Sequence, residues 1–167
     1  VAPDCTYAID KSVNAEQSYI VDWTKSHAII QGAGAINKIH VICNENHLTL
    51  YINDAFMADV VDTSVTGGSF NLMVGAYANK QEDKNPIGVN FSNLTVRKPL
   101  PWERPTEILL VDSFDDNNNS GVVFDENGNS GQVGNGQMVM KVVEPNSIYR
   151  VWPGVALSNL DMTFDAV

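Results

Sequence analysis

The sequence predicts an all-β fold, a two-sheet antiparallel β-sandwich. Apolar and polar residues alternate with a period of two along most of the 167 residues, as they do in strands with one buried face. About ten such runs are separated by turn sequences such as Asn127-Gly128 and Pro153-Gly154, a pattern typical of a β-sandwich. Apolar residues at helical spacing are scarce, so strands are expected throughout.

The composition is that of one globular domain. Hydrophobic residues make up 44% and charged residues 18% of a chain that is long enough to bury a core. The formal net charge of -10 disfavours nucleic acid and anionic lipid as partners, because both attract basic surfaces. No apolar run approaches the roughly 20 residues that cross a bilayer, so we expect no membrane span.

The first 98 residues carry the clearest strand patterns. In AEQSYIVDW, the alternation of Tyr19, Val21 and Trp23 favours a strand over a helical turn, with Trp23 in the core. In GVNFSNLTVRK the buried set changes phase, which predicts a β-bulge near Ser92-Asn93. Two further runs each place three residues on one face, namely Ile39, Val41 and Cys43, and Leu48, Leu50 and Ile52.

A Pro-rich linker at residues 99–105 divides the chain into two halves, 1–98 and 106–167. Pro99, Pro101 and Pro105 keep this segment extended and out of a β-ladder. In the second half, QMVMKVV and DMTFDAV again alternate. The residues that they turn inward are Met138, Met140 and Val142, and then Met162, Phe164 and Ala166.

Residues 39–98 resemble the C-terminal part of concanavalin-A-like (laminin-G-like) jelly-roll domains. The shared features are a strand that ends in a Y-x-N turn at Tyr51–Asn53, a Gly-led strand in GSFNLMVGAYA, and a closing strand of the type V-x-F-x-N-L-x-V. The closing pattern is carried by Val89, Phe91, Asn93, Leu94 and Val96. The resemblance implies that residues 1–98 are the closing half of a jelly-roll sandwich.

Residues 108–167 resemble the N-terminal part of the same domains. An acidic D-x-F-x-D turn at Asp112–Asp116 leads to a Gly- and Asn-rich loop, a strand, and a W-P-G turn at Trp152. The resemblance implies that residues 106–167 are the opening half, so the closing half precedes the opening half. The two would combine into one structural domain, either within one chain or between neighbouring chains.

This swapped order can be closed in three ways. The chain is a circular permutant, one register of a tandem repeat, or a protomer whose opening half completes its neighbour, which would build a filament. The leading hypothesis is a non-catalytic, extracellular structural or adhesive subunit that assembles head to tail with copies of itself into a fibre or tandem array. The alternative, suggested by the resemblance, is a carbohydrate-binding, lectin-like module of a secreted or cell-surface protein.

The loop at residues 115–126 is a candidate calcium site. Asp115, Asn117, Asn119 and Glu126 have the spacing of positions 1, 3, 5 and 12 in an EF-hand loop, whose oxygen ligands suit calcium. Ser120 stands where such a loop has glycine. A solvated turn rich in Asn and Asp is the competing interpretation.

Aromatic residues are the candidates for binding glycans, because their faces suit the apolar faces of sugars. Trp152, in the W-P-G turn, and Tyr149 are the preferred carbohydrate-binding residues. Core packing is the competing interpretation for the aromatic residues as a group. The other aromatic candidates considered are Trp23, Tyr51, Tyr77 and Trp102.

An extracellular or cell-surface location is expected from few Lys and many Asn, Ser, Thr and Gly residues. The chain starts at Val1 rather than Met, so a leader is expected to have been removed. Cys5 and Cys43 form either one disulfide or two separate buried thiols. Asn90, Asn93 and Asn118 begin N-x-[ST] sequons, and Asn90 is expected to point outward as a possible glycan acceptor.

Catalysis is not expected. Hydrolases of the jelly-roll type carry alternating Glu and Asp on one strand, and no such run occurs in the sequence. The three His residues, at positions 27, 40 and 47, lack metal-ligand spacing, and neither Cys has a catalytic signature.

Overall fold

The computed structural model describes residues 4–64, 68–76, 87–99, 108–116, 124–143, 147–151, 156–157 and 160–167. All regular elements within these ranges are strands, and every strand pair is antiparallel. The chain is therefore an all-β sandwich, as the alternation predicts. The strands are β1 Thr6–Val13, β2 Glu16–Lys25, β3 Asn37–Asn44, β4 His47–Ile52, β5 Ala55–Val61, β6 Gly68–Ser69, β7 Leu72–Ala76, β8 Ile87–Arg97, β9 Ile108–Asp112, β10 Phe124–Glu126, β11 Asn129–Gly134, β12 Gln137–Val142, β13 Ser147–Val151, β14 Ala156–Leu157 and β15 Leu160–Ala166.

One layer of the sandwich is a nine-stranded sheet. Its order is β10-β11-β12-β8-β15-β3-β4-β5, and β9 also pairs with β8. Along one edge, the 11-residue β8 pairs with two strands: Met138 of β12 lies opposite Phe91, and Asp112 of β9 lies opposite Leu94. Strand β15 lies between β3 and β8 and pairs with both.

The two halves of the sequence close within one chain. Strand β9, the first after the linker, pairs with β8, so that Ile108 lies opposite Arg97. Strand β15 of the second half enters the first half between β3 and β8. Completion by a neighbour is therefore not needed to build this sheet. Of the predicted linker, only Pro99 falls inside the described residues.

Two two-stranded sheets, β1-β2 and β13-β7, pack on the nine-stranded sheet as a second layer, and β14-β6 forms a further two-stranded sheet. The β1-β2 hairpin packs against β3 and β4, where Tyr7 and Ile9 join Leu50 and Ile52 in one buried cluster. Strand β7 contributes Leu72 and Val74 to the larger cluster. The other buried members of that cluster are Phe70, Phe91, Leu94, Val96, Phe114, Met138, Met140, Val142, Leu160 and Met162.

The two clusters form a continuous core because Val41 and Phe164 pack against both. Met138, Met140 and Val142 are at most 1% exposed, and Ile52 and Val96 are fully buried. These are the inward positions that the alternation predicts. Burial of such apolar side chains from both layers is the main stabilising contribution to the fold.

The predicted β-bulge lies on β8. Thr163 of β15 faces Thr95, but Asp165 faces Ser92, so two β8 residues oppose one residue of β15. Asn93 adopts a φ of 55°, a left-handed conformation that asparagine tolerates better than most residues. The bulge keeps Phe91 and Leu94 on the buried side, which explains the phase change in the sequence.

The prediction that Trp23 lies in the core is wrong. Trp23 is 46% exposed on β2, and Tyr19 is 52% exposed. The register between β1 and β2 shifts twice, on either side of the pair Ile9 and Val21. These bulges break the simple alternation, so Val21 packs on the core while Trp23 turns to solvent.

Candidate functional site

Among the described residues, no strand packs on the second face of the nine-stranded sheet, which we call the outer face. The second layer packs on the inner face, so the side chains that alternate with the core residues stand on the outer side. On β3 these are the neighbours of Ile39 and Val41, among them His40, and on β15 they include Asp161 and Thr163. Functional side chains on this face are positioned by a rigid sheet.

An aromatic row crosses the outer face from β15 to β5. Thr163, His40, Tyr51 and Phe56 lie opposite one another in successive strands. The His40 ring stacks on Tyr51 with 5.5 Å between ring centroids, and Tyr51 meets Phe56 edge to face at 5.8 Å. Phe56 is 59% exposed, so its ring is available to a ligand.

A polar row runs beside the aromatic row. It consists of Asp161, Ile42, Thr49 and Asp59, again opposite one another in β15, β3, β4 and β5. Thr49 Oγ1 donates a hydrogen bond to Asp59 Oδ1 at 3.0 Å. The row therefore presents carboxylate and hydroxyl oxygens next to the exposed aromatic ring.

A hydrogen bond joins the two rows. His40 Nε2 lies 2.6 Å from Asp161 Oδ1. With Asp161 ionised, this bond places the ring proton on Nε2, and Nδ1 of the neutral ring is then an acceptor. The pair is partly sheltered, since 28% of the His40 side chain and 18% of the Asp161 side chain are exposed. The imidazole is thereby held in a fixed orientation.

The carboxylates of the polar row are badly placed for glycoside hydrolysis. Asp161 and Asp59 lie on β15 and β5, three strand spacings apart. At about 4.8 Å per spacing this is roughly 14 Å, more than the roughly 5–9.5 Å between the two carboxyl groups of glycosidases. The arrangement suits recognition of hydroxyl groups better than bond cleavage.

The candidate calcium loop is described only at its two ends. Asp115 is exposed after β9 and accepts a hydrogen bond from Ser113 Oγ at 2.8 Å, and Glu126 is exposed at the end of β10. Asn117 and Asn119 lie outside the described residues. Among the residues that the structure does describe, no three His, Cys, Asp or Glu side chains lie close enough together to hold a metal ion.

Of the aromatic residues proposed to bind sugars, Tyr51 stands in the aromatic row of the outer face. Tyr149 lies on β13, where its backbone pairs opposite Val74. Trp152, Trp102 and Tyr77 lie outside the described residues.

The cysteines are free thiols in the structure. Cys5 Sγ donates to the carbonyl of Ile29 at 3.3 Å and packs beside the smaller cluster. Cys43 packs against the larger cluster, and burial raises the pKa of its thiol. Of the two alternatives left open by the sequence, the structure therefore has two separate, partly buried thiols rather than a disulfide.

Two of the three sequon asparagines lie on β8. Asn90 is half-buried on the outer face, and its Nδ2 donates to Gln137 Oε1 at 3.3 Å. Asn93 is exposed at the bulge, and its Nδ2 donates to Asp165 Oδ2 at 2.6 Å. Asn118 lies outside the described residues.

Sequence reasoning missed the convergence of His40, Phe56 and Asp161. The alternation does place His40 and Asp161 on the outward sides of their strands, but these residues are 121 positions apart in the chain. Only the pairing of β15 with β3 brings them together. No sequence signal identifies that partner among the available strands.

No family model and no curated protein matches the sequence. Within the described residues, no helix has the length and apolar character needed to cross a membrane.

Proposed function

We propose that this chain is a non-catalytic carbohydrate-binding module that holds a glycan on the outer face. The observation that carries the proposal is the exposed ring of Phe56 at the end of the aromatic row, beside the polar row. A pyranose can stack its apolar C–H face on such a ring. Its hydroxyl groups can then bond to Asp59 and Thr49.

The charge of the chain narrows the ligand class. The formal net charge is -10, and Asp161, Asp165 and Asp59 all stand on the outer face. These negative charges would repel sulfated or carboxylated glycans. We therefore expect neutral glycans to bind.

The test is a glycan array followed by isothermal titration of the strongest neutral ligand. Phe56→Ala is expected to weaken binding at least tenfold, because a central aromatic anchor commonly contributes more than about 1.4 kcal/mol. Val111→Ala is the matched control. Val111 is 53% exposed and lies on β9 opposite Thr95, five strand spacings from Phe56.

A second variant tests the part of the aromatic row that supports Phe56. His40→Ala removes the ring that orients Asp161 and stacks on Tyr51, so it should weaken binding without abolishing it. A glycan that binds Phe56→Ala, His40→Ala and the wild type equally would contradict the proposal, as would the absence of any bound glycan.

Head-to-tail assembly into a structural or adhesive fibre is the second proposal. It is favoured by β2, which within the described residues pairs only with β1, and whose other edge can accept a strand from another chain. Closure of both halves within one chain removes the need for a neighbour. Light scattering and electron microscopy at high concentration test it, and a stable monomer would contradict it.

A further inference from the structure

The β1-β2 hairpin carries a second aromatic surface, which we call the hairpin face. It consists of Asp10, Gln17, Tyr19 and Trp23, and all four residues are exposed. Asp10 lies directly opposite Tyr19, and Gln17 Nε2 donates to Asp10 Oδ2. The hairpin face thus places a carboxylate and an amide beside two exposed rings. It shares no residue with the outer face.

The two rings of the hairpin face are held in a fixed arrangement. Trp23 Nε1 donates to the Tyr19 hydroxyl at 3.2 Å, and the ring centroids are 6.4 Å apart at an interplanar angle of 60°. The backbone N–H of Trp23 is bonded to Asp22 Oδ1 at 2.8 Å. A ligand would therefore contact two rings whose orientation is already fixed. This lowers the side-chain entropy that is lost when the ligand binds.

The aromatic pair has no evident role in holding the hairpin together. Tyr19 and Trp23 both belong to β2, so their contact does not link β2 to β1. Their exposed fractions are 52% and 46%, while the hairpin is anchored through Tyr7 and Ile9 on its other face. An exposed Trp and Tyr beside planar polar side chains form a surface suited to a sugar ring.

The hairpin face and the outer face point in opposite directions. Tyr7 and Ile9 pack on the inner face of β3 and β4, and the Tyr7 hydroxyl donates to the Met57 carbonyl at 3.0 Å. Asp10 and Tyr19 stand on the far side of the hairpin from that contact. One molecule could therefore hold a ligand on each side of the sandwich.

We propose that the hairpin face is a second site for neutral sugars and that it makes the module bivalent, an inference that rests on the proposed function. The C–H face of a pyranose stacks on Trp23, and its hydroxyl groups bond to Asp10 and Gln17. Because the two sites face opposite ways, one molecule bridges two glycan-coated surfaces. Bridging of this kind gains avidity without any new contact.

The experiment uses the full chain and beads coated with dextran, mannan or galactan. Bound protein and bead aggregation are measured separately. The wild type is expected to bind and aggregate at least one kind of bead. Trp23→Ala and Phe56→Ala should each still bind but require at least tenfold more protein to aggregate the beads, and the double variant should lose binding.

Two further variants and a test of folding show whether a loss of aggregation is due to the aromatic face of Trp23. Trp23→Phe keeps an aromatic face and should retain most aggregation, and Val111→Ala should behave as the wild type. Circular dichroism and thermal unfolding should be unchanged in all variants. Aggregation by Trp23→Ala at wild-type concentrations would overturn the inference.

The remaining outcomes separate the two proposals. Binding lost in Phe56→Ala and unchanged in Trp23→Ala supports the outer face alone and overturns bivalency. Binding lost in Trp23→Ala and unchanged in Phe56→Ala overturns the outer-face proposal and bivalency together. A dimeric wild type with a monomeric Trp23→Ala variant would assign the hairpin face to self-contact, and a wild type that binds no bead counts against both sites.

Discussion

Asn53 shows how one side chain can fix both a turn and the packing around it. It occupies the β4–β5 turn with a φ of 52°, followed by Asp54 at 63°, so the two residues have the positive φ values of a type I′ hairpin turn. Its Oδ1 accepts the backbone N–H of Lys38 at 2.8 Å, and its Nδ2 donates to the Ala28 carbonyl at 2.7 Å. The turn next to the proposed glycan site is thus bonded to β3 and to the loop after β2.

We expect Asn53→Ala to destabilise the protein by roughly 2–3 kcal/mol, because it removes all three side-chain hydrogen bonds of Asn53 and strains a left-handed residue. Asn53→Gly is the matched control, since glycine adopts this backbone conformation freely. Urea unfolding should show that Asn53→Gly loses about 1 kcal/mol less than Asn53→Ala. Equal losses would show that backbone conformation contributes nothing at this position.

At the same scale, the sequence predicts single positions well only where the strands are regular. Met138 and Met140 alternate without interruption and are buried, as predicted. Trp23 lies within the second of two register shifts in β2, so its distance in sequence from Val21 no longer determines the face on which its side chain lies. Bulges of this kind depend on the partner strand, which a local pattern does not contain.

At the scale of elements, the hairpin and the nine-stranded sheet are joined by an ion pair at the edge of the sandwich. Lys11 of β1 bonds to Asp62, which follows β5, and also donates to Ser64 Oγ at 2.9 Å. The Lys11 ammonium, together with hydrogen bonds from Ser64, lowers the pKa of Asp62 from 3.8 to about 2.

This shift predicts a pH dependence of stability. Because the pKa of Asp62 is lower in the folded state, the ionised pair stabilises the fold above the ordinary pKa of 3.8, and this contribution is lost as the pH falls toward about 2. The difference in unfolding free energy between wild type and Asp62→Asn should be constant above pH 5 and shrink between about pH 4 and pH 2. Guanidinium or urea unfolding at several pH values measures it.

Asp54→Asn is the matched control for this ion pair. Asp54 bonds to Lys38 at 2.8 Å, but 76% of its side chain is exposed, so solvent screens the pair. Asp54→Asn should destabilise the protein less than Asp62→Asn does. A pH profile of Asp62→Asn parallel to that of the wild type would contradict the prediction.

The bulge in β8 shows which features of a strand can be predicted from the sequence. The change of phase between Phe91 and Leu94 is visible in the sequence, because both residues must be buried. The partner strands of β8 are not visible, since alternation specifies which face of a strand is buried and not which strand lies beside it. This is also why the outer face could not be assembled from sequence, although its outward residues could be assigned strand by strand.

At the scale of the whole molecule, the two halves are parts of one sheet. Strand β8 pairs with β12, β9 and β15 of the second half, and β15 also pairs with β3. Each half alone would lack the partners of its central strands. Neither half has a complete core, since the larger cluster takes Phe91 and Val96 from one half and Met138 and Met140 from the other.

We therefore expect residues 1–98 and 106–167, produced separately, to lack cooperative thermal unfolding. Mixing them in equal amounts should restore it, because the sheet is held by non-covalent pairing and a shared core. Near-ultraviolet circular dichroism of each fragment and of the mixture measures this. Cooperative unfolding of either fragment alone would show that the halves are independent units.

The central position of β15 has a consequence for synthesis on the ribosome. Strand β3 pairs with it so that Ile39 lies opposite Phe164, which means that β3 must wait for more than a hundred residues before its neighbour exists. At about 5–20 residues per second, the exposed edges of β3 and β8 remain unpaired for seconds. During that interval the unpaired N–H and C=O groups of β3 and β8 are open to pairing with other chains, which makes the nascent chain prone to aggregation.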